Sequence, residues 1–349
     1  MMSEKIERAL RKVTRPSRYL GNEWNSIKKE WQEVSLHMVF AFPDLYEVGM
    51  SHLGLHILYG LINSMPDFSM ERVFAPAPDM EEIMRREDIP LFSLESRRPV
   101  ADFEVVGFTL QHELSFTNVL NMLDLAGIPL RTEERHEGHP LVIAGGPVVF
   151  NVEPVASFFD AVLVGDGEEL LPEFLHVVRE ERRKSRRDLL RRLAQIPGVY
   201  VPIFYRAKYG PQGEFRGLDR VEPGVPDRIQ KRVVKDLDRA YLPTSPIVPF
   251  AEVVHDRAML EVMRGCSRGC RFCQAGIIYR PVRERLPGVL KQASRQLLAN
   301  TGHEEISLTS LNTADFTGVG ELLEYLASTC EPRGISIALP SLRVDSFSV

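Results

Sequence analysis

Cys266, Cys270 and Cys273 lie in the stretch LEVMRGCSRGCRFCQ that begins at Leu260, and one other cysteine, Cys330, completes the set in 349 residues. Clustering of this kind is expected of a metal or redox site in a reducing compartment, where disulfide frameworks are rare. Soft thiolates suit iron-sulfur clusters, and three on one short loop can converge on a single cube of iron and sulfide. They serve three of the four irons. The fourth iron keeps an open position, as a catalytic metal does and a structural one does not. Arg264, Arg268 and Arg271 interleave with the cysteines, where positive charge offsets that of the cluster and favours ionised thiols. A structural zinc is the alternative, but it needs a fourth ligand and more often uses cysteine pairs with two-residue gaps. Cys330 follows ELLEYLAST at an apparent helix end, which reads as a buried apolar thiol.

The elements that must position this loop follow from periodicity. Downstream, residues 286–300 read as a helix, Glu305 to Leu308 as a strand, Gly320 to Ser328 as a helix and Ile335 to Leu339 as a strand, in the βα alternation of a barrel whose site lies at the carboxyl ends of its strands. The strand tips are Thr309-Ser310-Leu311-Asn312 and Ser341-Leu342-Arg343. Upstream, residues 34–180 alternate short apolar runs with amphipathic stretches, the pattern of an α/β domain with a largely parallel sheet. Strands are expected at Leu36 to Phe42, Val105 to Leu110, Leu141 to Ala144 and Ala161 to Val164, with helices around residues 53–62 and 119–123. Asp44, Gly49, Thr109, Gly145, Gly146 and the Gly165-Asp166-Gly167 turn follow these strands, so four loops should share the carboxyl edge where open α/β sheets bind ligands. Tight strand-to-helix turns are the plainer reading of the same glycines.

Residues 1–33 read as an N-terminal arm, 34–180 as a Rossmann-like domain, 181–253 as a basic helix with an extended connector and 254–349 as the barrel segment. The basic stretch, 179–192, carries eight Lys and Arg against three acids. A solvated surface helix accounts for it, and contact with RNA phosphates is the alternative. Hydrophobic residues make up 44% and charged residues 26%, with a net charge of −5. Those values fit a soluble globular protein and exclude a disordered chain or a general nucleic-acid binder. The charged N-terminus has no signal-peptide core, and no stretch reaches the roughly 18 apolar residues of a membrane span. A cytoplasmic protein without a membrane partner is expected.

The spacing Cys266-x-x-x-Cys270-x-x-Cys273, with Phe272 before the last cysteine, resembles the signature of the radical S-adenosylmethionine (SAM) superfamily. The resemblance implies that the three cysteines hold a [4Fe-4S] cluster and that Phe272 lies near the adenine of S-adenosyl-L-methionine. It further implies that the open iron chelates the cofactor's amino and carboxylate groups, and that a flavodoxin or ferredoxin supplies the electron for its cleavage. Ser310 and Asn312 stand where the family has a Gly-Gly-Glu segment that contacts the cofactor, and Arg343 is a candidate for its carboxylate. Residues from about 255 onward give only the first part of a partial (β/α) barrel, about half the usual length, so the chain reads as the N-terminal part of a longer protein.

A Rossmann-like domain ahead of such a cluster resembles cobalamin-binding members of the superfamily. Their histidine-ligating domains use Asp-x-His-x-x-Gly after the first strand, and here the same place reads Asp44-Leu45-Tyr46-Glu47-Val48-Gly49. Tyrosine replaces the imidazole, a good cobalt ligand, with a poor one. His52 is a substitute nitrogen, although a histidine facing solvent at a helix start is the plainer reading. Asp44, Tyr46, Gly49, Thr109, Gly145 and Gly146 are the residues the resemblance assigns to a cobalamin-like site. Asp44 to Gly54, the Gly-Asp-Gly-Glu-Glu turn, KRVVKDLD and the cysteine segment together resemble an uncharacterised bacterial family of this type. The implied activity is reductive SAM cleavage that activates a C-H bond, with methyl or methylthio transfer to RNA or a small molecule. A reading from another class is a non-catalytic iron-sulfur or zinc module that binds nucleic acid through the 179–192 helix.

Overall fold

The computed structural model describes residues 2–346. It divides into two units, one of residues up to Asn22, Ile27–Gly49 and Leu61–Val233, the other of Glu23–Ser26, Met50–Gly60 and residues from Val234 on.

The first unit is built on a six-stranded sheet of β1 (Leu36–Phe42), β2 (Phe68–Phe74), β3 (Val105–Thr109), β4 (Leu141–Gly145), β5 (Ala161–Leu163) and β6 (Val199–Tyr200), in the order β2-β1-β3-β4-β5-β6. All neighbours run parallel except β5 and β6. The run LHMVFAF of β1 is buried at every position, as a central parallel strand covered on both faces requires. Its one polar residue, His37, stacks on Trp31 at 3.5 Å and lies 3.2 Å from the Glu104 carboxylate.

Strand β2 has no counterpart in the periodicity, because FSMERVF places Ser69, Glu71 and Arg72 in a fully buried element. A neighbouring loop satisfies the two charged groups. The Arg72 Nε donates to Glu95 at 2.6 Å, Glu95 also accepts the Arg72 amide, and Glu71 accepts the Ser96 amide and hydroxyl. Buried charges persist only when paired in this way.

Helix α1 (Met2–Leu10) turns Ile6, Ala9 and Leu10 into the unit's core, so the expected arm packs as part of the fold. It is followed by α2 (Tyr46–Gly49), α3 (Leu53–Ser64), whose residues up to Gly60 belong to the second unit, α4 (Pro78–Glu87) and α5 (Phe116–Leu125). The basic stretch falls into two helices, the end of α6 (Gly167–Glu181) and α7 (Arg186–Leu193), and Ser185 caps the second by accepting the Asp188 amide. Several of its arginines are paired. Arg187 and Arg191 share Glu222, Arg186 reaches Asp160, and Arg179 pairs with Asp67. An antiparallel hairpin of β7 (Tyr205–Tyr209) and β8 (Phe215–Arg220) follows.

In the second unit a parallel sheet of β9 (Ala258–Glu261), β12 (Glu305–Thr309) and β13 (Ser336–Ala338) runs in the order β13-β12-β9. Between β9 and β12 lie the short antiparallel pair β10 (Met263–Arg264) and β11 (Arg283–Glu284), the turn α8 (Ala275–Ile278) and α9 (Pro287–Thr301). Proline opens α9 and Gly302, left-handed at φ 73°, ends it, the usual asymmetry of helix ends. Helix α10 (Val319–Cys330) closes the βα repeat, and Cys330 is fully buried. Burial raises its thiol pKa. Among the described residues no helix is long and apolar enough to cross a membrane.

Candidate functional site

The cysteine loop leaves β10 and returns at β11, so two strand residues on each side fix its ends. Gly265 starts it with φ +90°, and a Cβ there would lie 2.6 Å from the Pro281 carbonyl oxygen and 2.7 Å from that of Tyr279. Only glycine permits that conformation and approach. The base is held by charge: Glu261, at the end of β9, takes two bonds of 3.0 Å from Arg264 and one of 3.3 Å from Arg285. Arg285 itself is buried and also bonds to the Leu237 and Ala240 carbonyls, while Arg283 bonds to that of Val234.

Cys266, Cys270 and Cys273 are all half-buried, on the carboxyl side of β9. The Arg268 amide lies 3.5 Å from the Cys266 sulfur, and Arg343 Nη1 lies 2.9 Å from the Cys270 sulfur. Arg343 is anchored by paired contacts to Asp345, which raise its pKa further above the ordinary value. Two of the interleaved arginines have other work. Arg264 belongs to Glu261, and Arg268 to Asp315, whose carboxyl it holds below the usual range. The charge expected from them at the sulfurs comes instead from Arg343, which the sequence offered as a carboxylate partner.

Among the described residues no three His, Cys, Asp or Glu side chains close around one ion-sized point. The donor set fits a cube of iron and sulfide: three soft sulfurs on one partly open loop, with N–H donors at two of them. Phe272 is 92% exposed and so presents a free aromatic face in this loop. At the β12 tip, Ser310 shares a 2.9 Å hydrogen bond with Thr313, whose hydroxyl donates to the Leu308 carbonyl. That serine closes the turn. Asn312 is 1% exposed, and its amide oxygen has no hydrogen-bond partner, while its amide nitrogen faces the Asp315 carboxylate. An orphaned buried amide oxygen is costly, and a bound ligand that engages it removes that cost.

At the carboxyl edge of the first unit's sheet the expected residues separate into two groups. Tyr46 is 1% exposed and packs edge-on against Phe74 at 5.2 Å, so its phenol is core and is not available to a ligand. A Cβ at Gly49 would meet the Phe74 ring at 2.3 Å, and one at Gly146 the Leu110 carbonyl oxygen at 2.7 Å. These glycines serve packing. The Gly165 turn is covered by Arg232, whose carbonyl accepts the Asp166 amide, so this loop does not line an open edge. Asp44, Thr109 and Gly145 remain. Asp44 accepts the Leu45 amide at 2.7 Å, Thr109 accepts from Gln111 at 2.6 Å, and Gly145 has nothing nearer than 3.9 Å to a built Cβ. His52 receives the Leu55 amide on Nδ1 and caps α3.

One residue at this edge was not singled out. His112, three positions beyond β3, sits with Nε2 3.9 Å from Asp44. Its significance depends on which strands are neighbours, and with β2 undetected the sequence could not supply that. Val48, Leu114 and Phe150 follow β1, β3 and β4 and are exposed apolar side chains.

Residues 260–346, which include all three cysteines, match the family model for the radical SAM superfamily, and residues 54–202 match that for the N-terminal region of radical SAM proteins. The chain is a radical SAM protein. This radical SAM chain is 23% identical over 315 residues to an uncharacterised protein of Methanocaldococcus jannaschii, covering 89% of the chain and 56% of that relative. Its fold is similar to that of the radical SAM methyltransferase TsrM from Kitasatospora setae, solved with cobalamin and a [4Fe-4S] cluster bound: TM-score 0.53, 15% identity, 90% of this chain and 56% of that one. A second TsrM structure, with tryptophan substrate and a SAM analogue, gives a TM-score of 0.51 at 14% identity, over 89% of this chain and 56% of that one. The chain thus spans about half the length of the relatives it matches.

Proposed function

We propose that the protein to which these residues belong is a radical SAM enzyme, with a cluster on Cys266, Cys270 and Cys273 and a corrinoid at the carboxyl edge of the first unit's sheet. The observation that carries this reading is the three-thiol loop on the carboxyl side of β9 with the Arg343 guanidinium 2.9 Å from one sulfur. When bound, the cluster supplies an open iron for the amino and carboxylate groups of SAM and one electron for its cleavage, replenished by a flavodoxin- or ferredoxin-class donor.

The chain's own residues supply position and environment. Arg264 and Arg285 hold Glu261 and hence the root of the loop. Arg343 stabilises negative charge on the Cys270 sulfur. Phe272 offers an aromatic face for the adenine, and the Asn312 amide oxygen offers an acceptor. TsrM is a methyltransferase solved with cobalamin, and a corrinoid in this chain would direct the chemistry toward methyl transfer.

The test is anaerobic reconstitution of the full-length protein with iron and sulfide. Expected are the absorption and, after dithionite, the paramagnetic signal of a [4Fe-4S] cluster that changes when SAM is added. Dithionite turnover should then yield 5′-deoxyadenosine or S-adenosylhomocysteine. A protein that takes up no cluster, or one that yields neither product, overturns the reading.

A further inference from the structure

We infer that His112, oriented by Asp44, is the nitrogen ligand for the cobalt of a corrinoid at the carboxyl edge of the first unit's sheet. The inference rests on the corrinoid reading above and goes beyond it, because it assigns the ligand to a loop other than the one that carries the usual motif.

The strand order β2-β1-β3-β4-β5 reverses direction between β1 and β3. Open α/β sheets bind ligands at such a switch point, just outside the carboxyl ends of the two diverging strands. Asp44 follows β1 by two residues and His112 follows β3 by three, so the pair stands at this switch point. Both side chains are partly open, 49% for His112 and 30% for Asp44. Their separation of 3.9 Å is longer than a hydrogen bond, so the partly exposed ring must turn slightly to engage the carboxylate.

Both loops are anchored. Asp44 accepts the Leu45 amide on its carboxylate and the Ala75 amide on its carbonyl. The His112 carbonyl accepts both the amide and the hydroxyl of Ser115, and Asn118 on α5 donates to the Pro43 carbonyl at 2.9 Å, which ties the two loops together. Once that hydrogen bond closes, the carboxylate selects the tautomer and orients the ring, and this leaves the other nitrogen's lone pair for a metal. The other candidates are occupied: Tyr46 is buried and His52 caps a helix. Leu114, 86% exposed and two residues beyond His112, gives the apolar surface that a macrocycle covers.

The test uses cob(II)inamide, which has no nucleotide base of its own, added to the full-length protein. The wild type should bind it and show in the cobalt electron paramagnetic resonance spectrum the triplet splitting of one axial nitrogen, which becomes a doublet after ¹⁵N-histidine labelling. His112→Ala should lose the splitting and keep its thermal melt, since the side chain is exposed. His52→Ala should retain the splitting. Asp44→Asn, which tests a positioning residue, should keep the nitrogen but bind about 10- to 100-fold more weakly. Uptake by the wild type without nitrogen splitting, or splitting that survives His112→Ala, overturns the ligand assignment and leaves the corrinoid reading standing. A wild-type protein that takes up no cobinamide overturns both.

Discussion

Cys270 is the thiol with a full positive charge at its sulfur, and that charge comes from a residue 73 positions away. Hydrogen bonds to cluster sulfurs favour the more electron-rich, reduced state and so raise the reduction potential. Arg343→Gln should therefore lower the midpoint of the reconstituted cluster, by ~40 mV for each 1 kcal/mol of lost interaction in a one-electron couple. Arg343→Lys should recover part of the shift, and potentiometric titration measures both. Replacing any one of Cys266, Cys270 and Cys273 with alanine should abolish the cluster absorption, because an iron without its protein ligand leaves the cube unsupported. Asn312→Leu separates two roles for its amide. If the amide binds SAM, the variant should be about as stable as the wild type and should lose the change that SAM causes in the cluster's spectrum. An unaltered spectral response would show that the amide does not touch the cofactor.

Among the elements, β2 and α2 owe their positions to groups that look out of place in them. Glu95→Ala would remove the carboxylate that faces the fully buried Arg72 guanidinium, and breaking a buried pair of this kind costs about 3–5 kcal/mol. Urea unfolding should find the variant destabilised by that order. Gly49→Ala drives a methyl into the Phe74 ring, and overpacking of this kind costs about 1–3 kcal/mol. If Gly49 instead served a ligand at the sheet edge, the alanine variant would melt like the wild type and only ligand binding would change. A thermal melt of the protein without cofactor distinguishes the two.

For the whole molecule, the first unit has a hydrophobic core formed by its own strands and helices, and a second core surrounds β9, β12, α9 and α10. Loss of the cluster should therefore be felt locally. Hydrogen exchange after chelation should speed up in the loop 265–282, while the amides of β1, β3 and β4 keep their protection.

Much of this architecture was legible before any coordinates. The cysteine spacing announced its chemistry because ligands of one cluster must be close in sequence to sit on one loop, and β1, β3, β4 and β5 announced themselves as short apolar runs because parallel strands are buried on both faces. β2 was hidden because its Arg72 is paired with Glu95 and its Glu71 accepts hydrogen bonds from Ser96, both more than twenty residues away. The basic stretch looked like one helix, and its charge looked free for the same reason: Glu222, Asp160 and Asp67 are distant in sequence. The sequence by itself determined the three-cysteine loop and the α/β class, since both are written in local spacing and periodicity. Tertiary structure alone decided which arginine meets a sulfur, which glycines merely pack, that Tyr46 is buried, and that His112 stands beside Asp44. Those are pairings between distant residues, and strand order, not sequence separation, determines them.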